Sequence, residues 1–292
     1  MVACMSGKEA FRFPIGIVGA LEPLAPAKPA IICGSIAAIA ELAGAVGYDS
    51  IELHLRNPAE LDGQALLRAA KDRGLRYCAL STGLEYLSNG LSLISDDASV
   101  RRAAVQRLRE HIDLAAVLGC LVVIGSMRAN VPDPANRAPY DGYLTDALLN
   151  LAAYARTQGV GLVFESINRY INNTFNTVPE TAAYLRALGQ SNLRLHIDTH
   201  SMNVEDPDLP AAVRGAADVL GYVHFSDSNR RFPGGGNIDF KPILKALLDV
   251  GYTGDITCEC VPWPDPEQCA RLSYTYIRAL ETCLAVEAIR DY

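Results

Sequence analysis

The stretch Gly161-Leu-Val-Phe-Glu165, the helix-like run Pro179–Leu188 and the stretch Arg194-Leu-His-Ile-Asp198 together decide the fold. A short apolar run ends on a carboxylate, a segment with apolar residues at i, i+3 and i+4 follows, Gly189 closes it, and a second apolar run again ends on a carboxylate. Nearly continuous apolar runs of this length suit strands buried on both faces, and an intervening helix makes two such strands parallel neighbours. Glycine just past a helix accepts the left-handed backbone that ends it.

The same unit recurs in both directions along the chain. Candidate strands are Pro14–Gly19, Ser50–His54, Arg76–Leu80, Leu121–Gly125, Gly161–Glu165, Arg194–Asp198, Tyr222–Ser226 and Asp255–Glu259. Helical spacing marks Ser35–Val46, Gly63–Arg73, Val100–Leu118, Asp141–Gln158, Pro179–Leu188, Lys241–Val250 and Pro266–Leu284. Gly47, Gly74, Gly119, Gly159, Gly189 and Gly251 stand where those helices should stop. Eight strands alternating with helices predict a single (β/α)₈ barrel over residues 1–292, with 1–12 as an N-terminal extension. An open doubly wound sheet is disfavoured, because no Gly-x-Gly-x-x-Gly follows the first strand.

Barrels of this kind carry their chemistry at the C-terminal ends of the strands. The last four strands end on Glu165, Asp198, His224 and Glu259, which places one hard donor from each on the same rim. Without a cation, three carboxylates in one mouth would repel strongly. Three carboxylates and an imidazole suit one divalent ion, Mn²⁺ foremost, with Mg²⁺, Co²⁺ or Zn²⁺ as alternatives. His54 ends the second strand beside Glu52 and is a candidate substrate contact. His196 lies two residues before Asp198 and reads as a satisfied core histidine, and His111 lies in a helix.

Several motifs carry a resemblance. Glu165-Ser-Ile-Asn168-Arg169-Tyr170, Asp198-Thr-His200-Ser-Met202-Asn203, His224-Phe-Ser-Asp227-Ser-Asn229-Arg230 and Glu259-Cys-Val-Pro resemble the xylose-isomerase-like sugar isomerase/epimerase superfamily. Arg231-Phe-Pro-Gly-Gly-Gly-Asn-Ile-Asp239-Phe240, Gly47-Tyr-Asp-Ser-Ile-Glu-Leu-His54, Ser81-Thr-Gly83 and Gly90-Leu-Ser-Leu extend the likeness to its ketose 3-epimerase branch. That branch includes D-tagatose/D-psicose 3-epimerases and 5-keto-L-gluconate epimerase.

The resemblance implies epimerisation at the carbon beside a ketose or keto-sugar-acid carbonyl. A cation polarises the carbonyl and stabilises the enediolate, while two carboxylates exchange the proton on opposite faces. In the family these roles belong to the first and last metal-binding glutamates, here Glu165 and Glu259. Arg230, Asn168 and His200 join His54 as candidate substrate contacts. The family's second glutamate, six residues after the first, is Ile171 here. Its histidine three after the metal aspartate is Ser201, with His200 one position earlier. Both replacements lie where substrate identity is set, so the substrate is expected to differ from a free hexulose.

Competing readings are a keto-inositol-type dehydratase on the same barrel, a multi-metal nuclease and a non-catalytic sugar-binding barrel. Five histidines and a net charge of −7 oppose the nuclease, which needs more ligands and a basic face. The Gly234–Gly236 run reads as a turn or lid rather than a phosphate cradle, and Trp263 as a pocket wall or subunit contact. Eight cysteines, none in a Cys-x-x-Cys pair, read as buried or semi-buried free thiols, with Cys258 and Cys260 packing on the strand face opposite Glu259. No targeting segment marks the first dozen residues, and the uncharged run Leu114–Met127 is too short for a membrane span. The chain is therefore expected to be cytoplasmic, with a small-molecule sugar as partner, no nucleic acid and no membrane. A homodimer or homotetramer is expected from the resemblance.

Overall fold

The structure, a computed structural model, describes residues 12–25 and 28–290. The wholly buried run Ile15–Ala20 forms β1. The other barrel strands are β3 (Ser50–His54), β4 (Arg76–Ser81), β5 (Leu121–Ile124), β6 (Leu162–Glu165), β7 (Leu193–Asp198), β8 (Leu220–Phe225) and β9 (Ile256–Cys258). Each pairs in parallel with the next, and β1 pairs with β9, so eight strands close a barrel. A two-residue strand, β2 (Ile32–Cys33), lies against the end of β1.

Around the barrel run α1 (Ile36–Val46), α2 (Gly63–Lys71), α4 (Ala98–Leu118), α5 (Ala138–Thr157), α6 (Val178–Leu188), α9 (Phe240–Asp249) and α10 (Pro266–Arg290). Their apolar stripes pack on the strands' outer faces in one continuous core. Gly47, Gly74, Gly119, Gly159, Gly189 and Gly251 all have positive φ at the helix ends. Three seven-residue helices were not foreseen: α3 (Gly83–Asn89), α7 (Thr199–Glu205) and α8 (Leu209–Gly215). Two turns are too short for an apolar stripe to repeat. The last helix passes Leu284 and continues to Arg290, and β8 starts at Leu220 rather than Tyr222.

The expected extension, apart from Arg12, lies outside the described residues, as does Cys4. Cys78, Cys120, Cys258, Cys260 and Cys269 are buried, whereas Cys33 and Cys283 are exposed, contrary to expectation. Cys33 sits in the short β2 and Cys283 in α10, and no described residue buries either. Among the described residues no helix is long and apolar enough to cross a membrane.

Carboxylates staple the barrel floor, far from the strand ends that carry the candidate site. Asp255 precedes β9 and accepts from Ser50 Oγ at 2.5 Å and from Arg76 Nη2 at 2.8 Å, so β3, β4 and β9 meet on one side chain. Asp49 Oδ2 accepts from Ile15 N at 2.8 Å and from Arg278 Nη2 at 3.0 Å, which ties α10 to β1. Replacing Asp255 by alanine should strand both donors and cost about 1–3 kcal/mol of unfolding free energy. Urea titration would read this as a lower midpoint, with the mouth's cation affinity unchanged.

Candidate metal centre

Asp198 ends β7 and also caps α7. Its Oδ1 accepts from Ser201 N at 2.9 Å, which leaves Oδ2 facing the barrel axis. The neighbouring strand places His224 in register with Asp198. Glu52, fully buried on β3, accepts from His224 Nε2 at 2.6 Å and lies 3.2 Å from His54 Nε2. Burial opposes ionisation of Glu52, yet the charge and hydrogen bonding of His224 and His54 hold it well below the usual carboxylate range. The carboxylate thereby fixes the His224 ring and leaves Nδ1 as the outward atom. That Nδ1 is buried with no hydrogen-bond partner among the described residues, 3.4 Å from Glu259 Oε2 and 3.9 Å from Asp198 Oδ2.

Glu165 closes β6, and Glu259 follows β9 directly. Glu165 needs the glycine across from it: a Cβ on Gly125 would lie 2.5 Å from Glu165 Oε2. Burial, then repulsion from Glu259 and Asp198, pushes the Glu165 carboxyl up to about 8. Asp198 goes the other way, to about 2, because Arg230 and His224 outweigh its burial. Donor atoms of Asp198, His224 and Glu259 lie within 4.8 Å of one another, and so do those of Glu165, His196 and His224. The four expected donors thus fall into two triads that share His224. An orphaned imidazole nitrogen facing crowded carboxylates fits a divalent cation.

Arg230 supplies the cationic charge nearest these carboxylates. Its Nη1 donates to Asp198 Oδ2 at 2.5 Å and to Ser226 Oγ at 2.9 Å, and its Nη2 donates to Glu259 Oε2. It does so from a left-handed backbone, φ 62°, which costs a non-glycine residue about 1–3 kcal/mol and clusters at functional sites. Above the donors opens a cavity of 270 Å³, lined by Glu165, Glu259, His54, His200, Ser201 and Arg230. Leu24, Leu84, Ile167 and Ile171 also line it.

Asn168 does not reach this cavity. It is buried, donates to Ser201 Oγ at 3.2 Å and accepts from Tyr170 N, so its amide is spent holding the loop after β6. In this structure Asn168 braces that loop and is not among the residues lining the cavity. His200 does line the cavity. Its Nδ1 meets the Asp227 carbonyl at 3.2 Å, which fixes that nitrogen as the donor and leaves Nε2 as the acceptor of the neutral ring. Trp263 does not wall the cavity; it stacks on Phe232 at 6.2 Å beneath the Arg231 guanidinium. In the glycine run, Gly234 N donates to Asp227 Oδ2 and Gly235 N to the Phe232 carbonyl, which makes a braced turn. His196 is buried as expected but not satisfied: neither ring nitrogen has a hydrogen-bond partner among the described residues.

Glu52 was missed as part of the site. The alternation Ser50-Ile-Glu52-Leu-His54 puts Glu52 on the inward face, one step below His54. A buried acid mid-strand was the available signal.

The family described as xylose isomerase-like TIM barrel matches residues 16–280, and the chain belongs to it. The chain is 37% identical over 215 residues to an L-ribulose 3-epimerase of Mesorhizobium japonicum, covering 73% of this chain and 71% of the relative. It is 33% identical over 217 residues to a ketose 3-epimerase of Arthrobacter globiformis, covering 73% of each. A solved L-ribulose 3-epimerase superposes with a TM-score of 0.80 at 29% identity, covering 95% of this chain and 97% of the other.

Glu52→Gln removes the charge that orients His224. Its expected effect is a 10- to 100-fold loss of Mn²⁺ affinity with the fold retained, read by isothermal titration calorimetry. Affinity equal to that of the unaltered chain would show that Glu52 plays no part in holding the ring.

Proposed function

We propose that the chain is a metal-dependent isomerase that epimerises the carbon beside a ketose or keto-sugar carbonyl, with Glu165 and Glu259 as the acid/base pair. One observation carries this reading: of the four donors, only the two glutamates open onto the cavity. Asp198 and His224 lie beneath it, 0% and 1% exposed, placed to hold a cation but not to meet a substrate carbon. The named relatives, an L-ribulose 3-epimerase and a ketose 3-epimerase, support the same reaction class. The cavity falls just below the roughly 300–1,000 Å³ of pockets for drug-sized ligands and suits a monosaccharide.

When bound, a divalent cation, Mn²⁺ foremost, supplies the charge that polarises the carbonyl and stabilises the electron pair left by the departing proton. The remaining work belongs to the chain. Glu165 and Glu259 reach the cavity from different strands, β6 and the end of β9, so one can take a proton from one face of the carbon while the other returns one to the opposite face. His54 steadies Glu259: its Nε2 lies 3.7 Å from Glu259 Oε1 while also facing Glu52. Arg230 and His200 offer a donor fork and an acceptor to substrate oxygens. Below the donors the barrel is closed by the buried Tyr222, His196 and Thr257, so the proton-transfer groups are reached only from the cavity side.

In D₂O, the Mn²⁺-loaded chain should place deuterium on the carbon beside the carbonyl of at least one member of a panel of ketoses and keto-sugar acids and give the inverted product, as followed by NMR. Glu165→Gln and Glu259→Gln should each lower kcat by about 10²–10⁴-fold and stop exchange on one face. An unsaturated product would mark a dehydratase instead, and no exchange across ketoses and keto-acids with the cation bound would overturn both readings.

Ile171 is half exposed at the cavity edge and offers no hydrogen bond from its side chain, while Ser201, which stands where the family has a histidine, accepts from Asn168 Nδ2 at 3.2 Å. Hydroxyls at that end of a substrate lose partners that the family supplies. Ile171→Glu should therefore raise kcat/KM for free ketoses by about 10-fold or more relative to the unaltered chain. A steady-state comparison over a ketose panel checks it.

A further inference from the structure

His196 stands on β7, two residues before Asp198 and on the same inward face, fully buried. Its surroundings are those of a ligand rather than of a filler. The His224 ring meets it edge to face at 4.1 Å with the planes at 83°, and the Tyr222 ring lies 5.0 Å away. The Tyr222 hydroxyl is engaged elsewhere: it donates to Glu52 Oε2 at 2.6 Å and pairs with Thr257 Oγ1 at 2.8 Å. Neither nitrogen of His196 has any hydrogen-bond partner among the described residues. Barrel interiors fill with branched aliphatic side chains where packing is all that is required, and a buried polar ring with nothing to bond opposes folding.

Register supplies the second observation. Glu165 on β6 pairs with His196 on β7, so barrel stagger brings a residue below Asp198 alongside a residue at the rim. An oxygen of Glu165 and one nitrogen each of His196 and His224 lie within 4.8 Å of one another, and the triad of Asp198, His224 and Glu259 shares the same imidazole. Glu52 engages Nε2 of His224, so Nδ1 is the nitrogen left for a cation. Asp198 and Glu259 approach that nitrogen at 3.9 and 3.4 Å, and the second triad meets the first at the same ring.

We propose that His196 is a fifth protein donor to the cation, which makes the set three carboxylates and two imidazoles. The inference rests on the metal reading above and goes beyond the four donors of the strand ends. A second imidazole moves the preference away from Mg²⁺ and toward Mn²⁺, Co²⁺ and Zn²⁺, which accept nitrogen ligands more readily.

Pulsed EPR on the Mn²⁺-loaded full chain counts the nitrogen nuclei bound to the ion. Two are expected, both replaced by ¹⁵N couplings when histidine is labelled. His196→Phe keeps an aromatic ring against His224 but removes both nitrogens; one coupling should remain, and Mn²⁺ affinity should fall by about tenfold or more. The count on the unaltered chain decides the matter even if that variant folds poorly. One nitrogen there would overturn the role of His196 and leave the four-donor site standing. Bound Mn²⁺ with no nitrogen coupling would overturn both.

Discussion

Glu165, Asp198 and Glu259 are delivered by β6, β7 and the end of β9 to one barrel mouth, where each is largely shut off from water and faces the others. The repulsion among them is legible in their opposite responses: Glu165 is driven up to about 8, while Asp198 is held near 2 by Arg230 and His224. Rigid parallel strands prevent the carboxylates from separating, so positive charge must be brought to them. Arg230 bonds two of them from a strained backbone, and the bare Nδ1 of His224 marks where a cation would complete the balance.

Much of the barrel mouth follows from that constraint. Glu52 orients His224 from below and faces His54, which in turn approaches Glu259, so one buried acid organises two histidines and reaches toward a proposed acid/base residue. Asp198 divides its oxygens between the start of α7 and the centre. The same cap starts the helix that sets His200 at the cavity and Ser201 against Asn168. Stability is secured elsewhere, by Asp255 and Asp49 at the opposite ends of the strands, which leaves the mouth free to hold charges that oppose folding.

Much of this was legible in the sequence because strand ends are both apolar runs and chemical positions. The run Leu-Val-Phe-Glu165 states its period, its length and its candidate donor together, and the helix-ending glycines mark the intervals between such runs. The short helices α3, α7 and α8 were not legible, since seven residues carry too little pattern. Nor were Glu52, the orphaned nitrogens of His196 or the burial of Asn168. Those depend on which side chains the closed barrel brings face to face across strands distant in sequence, such as β3 and β8. The stacking of Trp263 was hidden for the same reason: a loop aromatic finds its partners, Phe232 and Arg231, only after folding.

The claim on which the account turns is that these carboxylates are held for a divalent cation. Equilibrium dialysis of the metal-stripped chain against Mn²⁺ tests it directly. The account expects one ion per chain, with binding lost when Asp198 or His224 is replaced by alanine in a folded variant. A chain that binds no ion, or whose binding is untouched by either replacement, would contradict it.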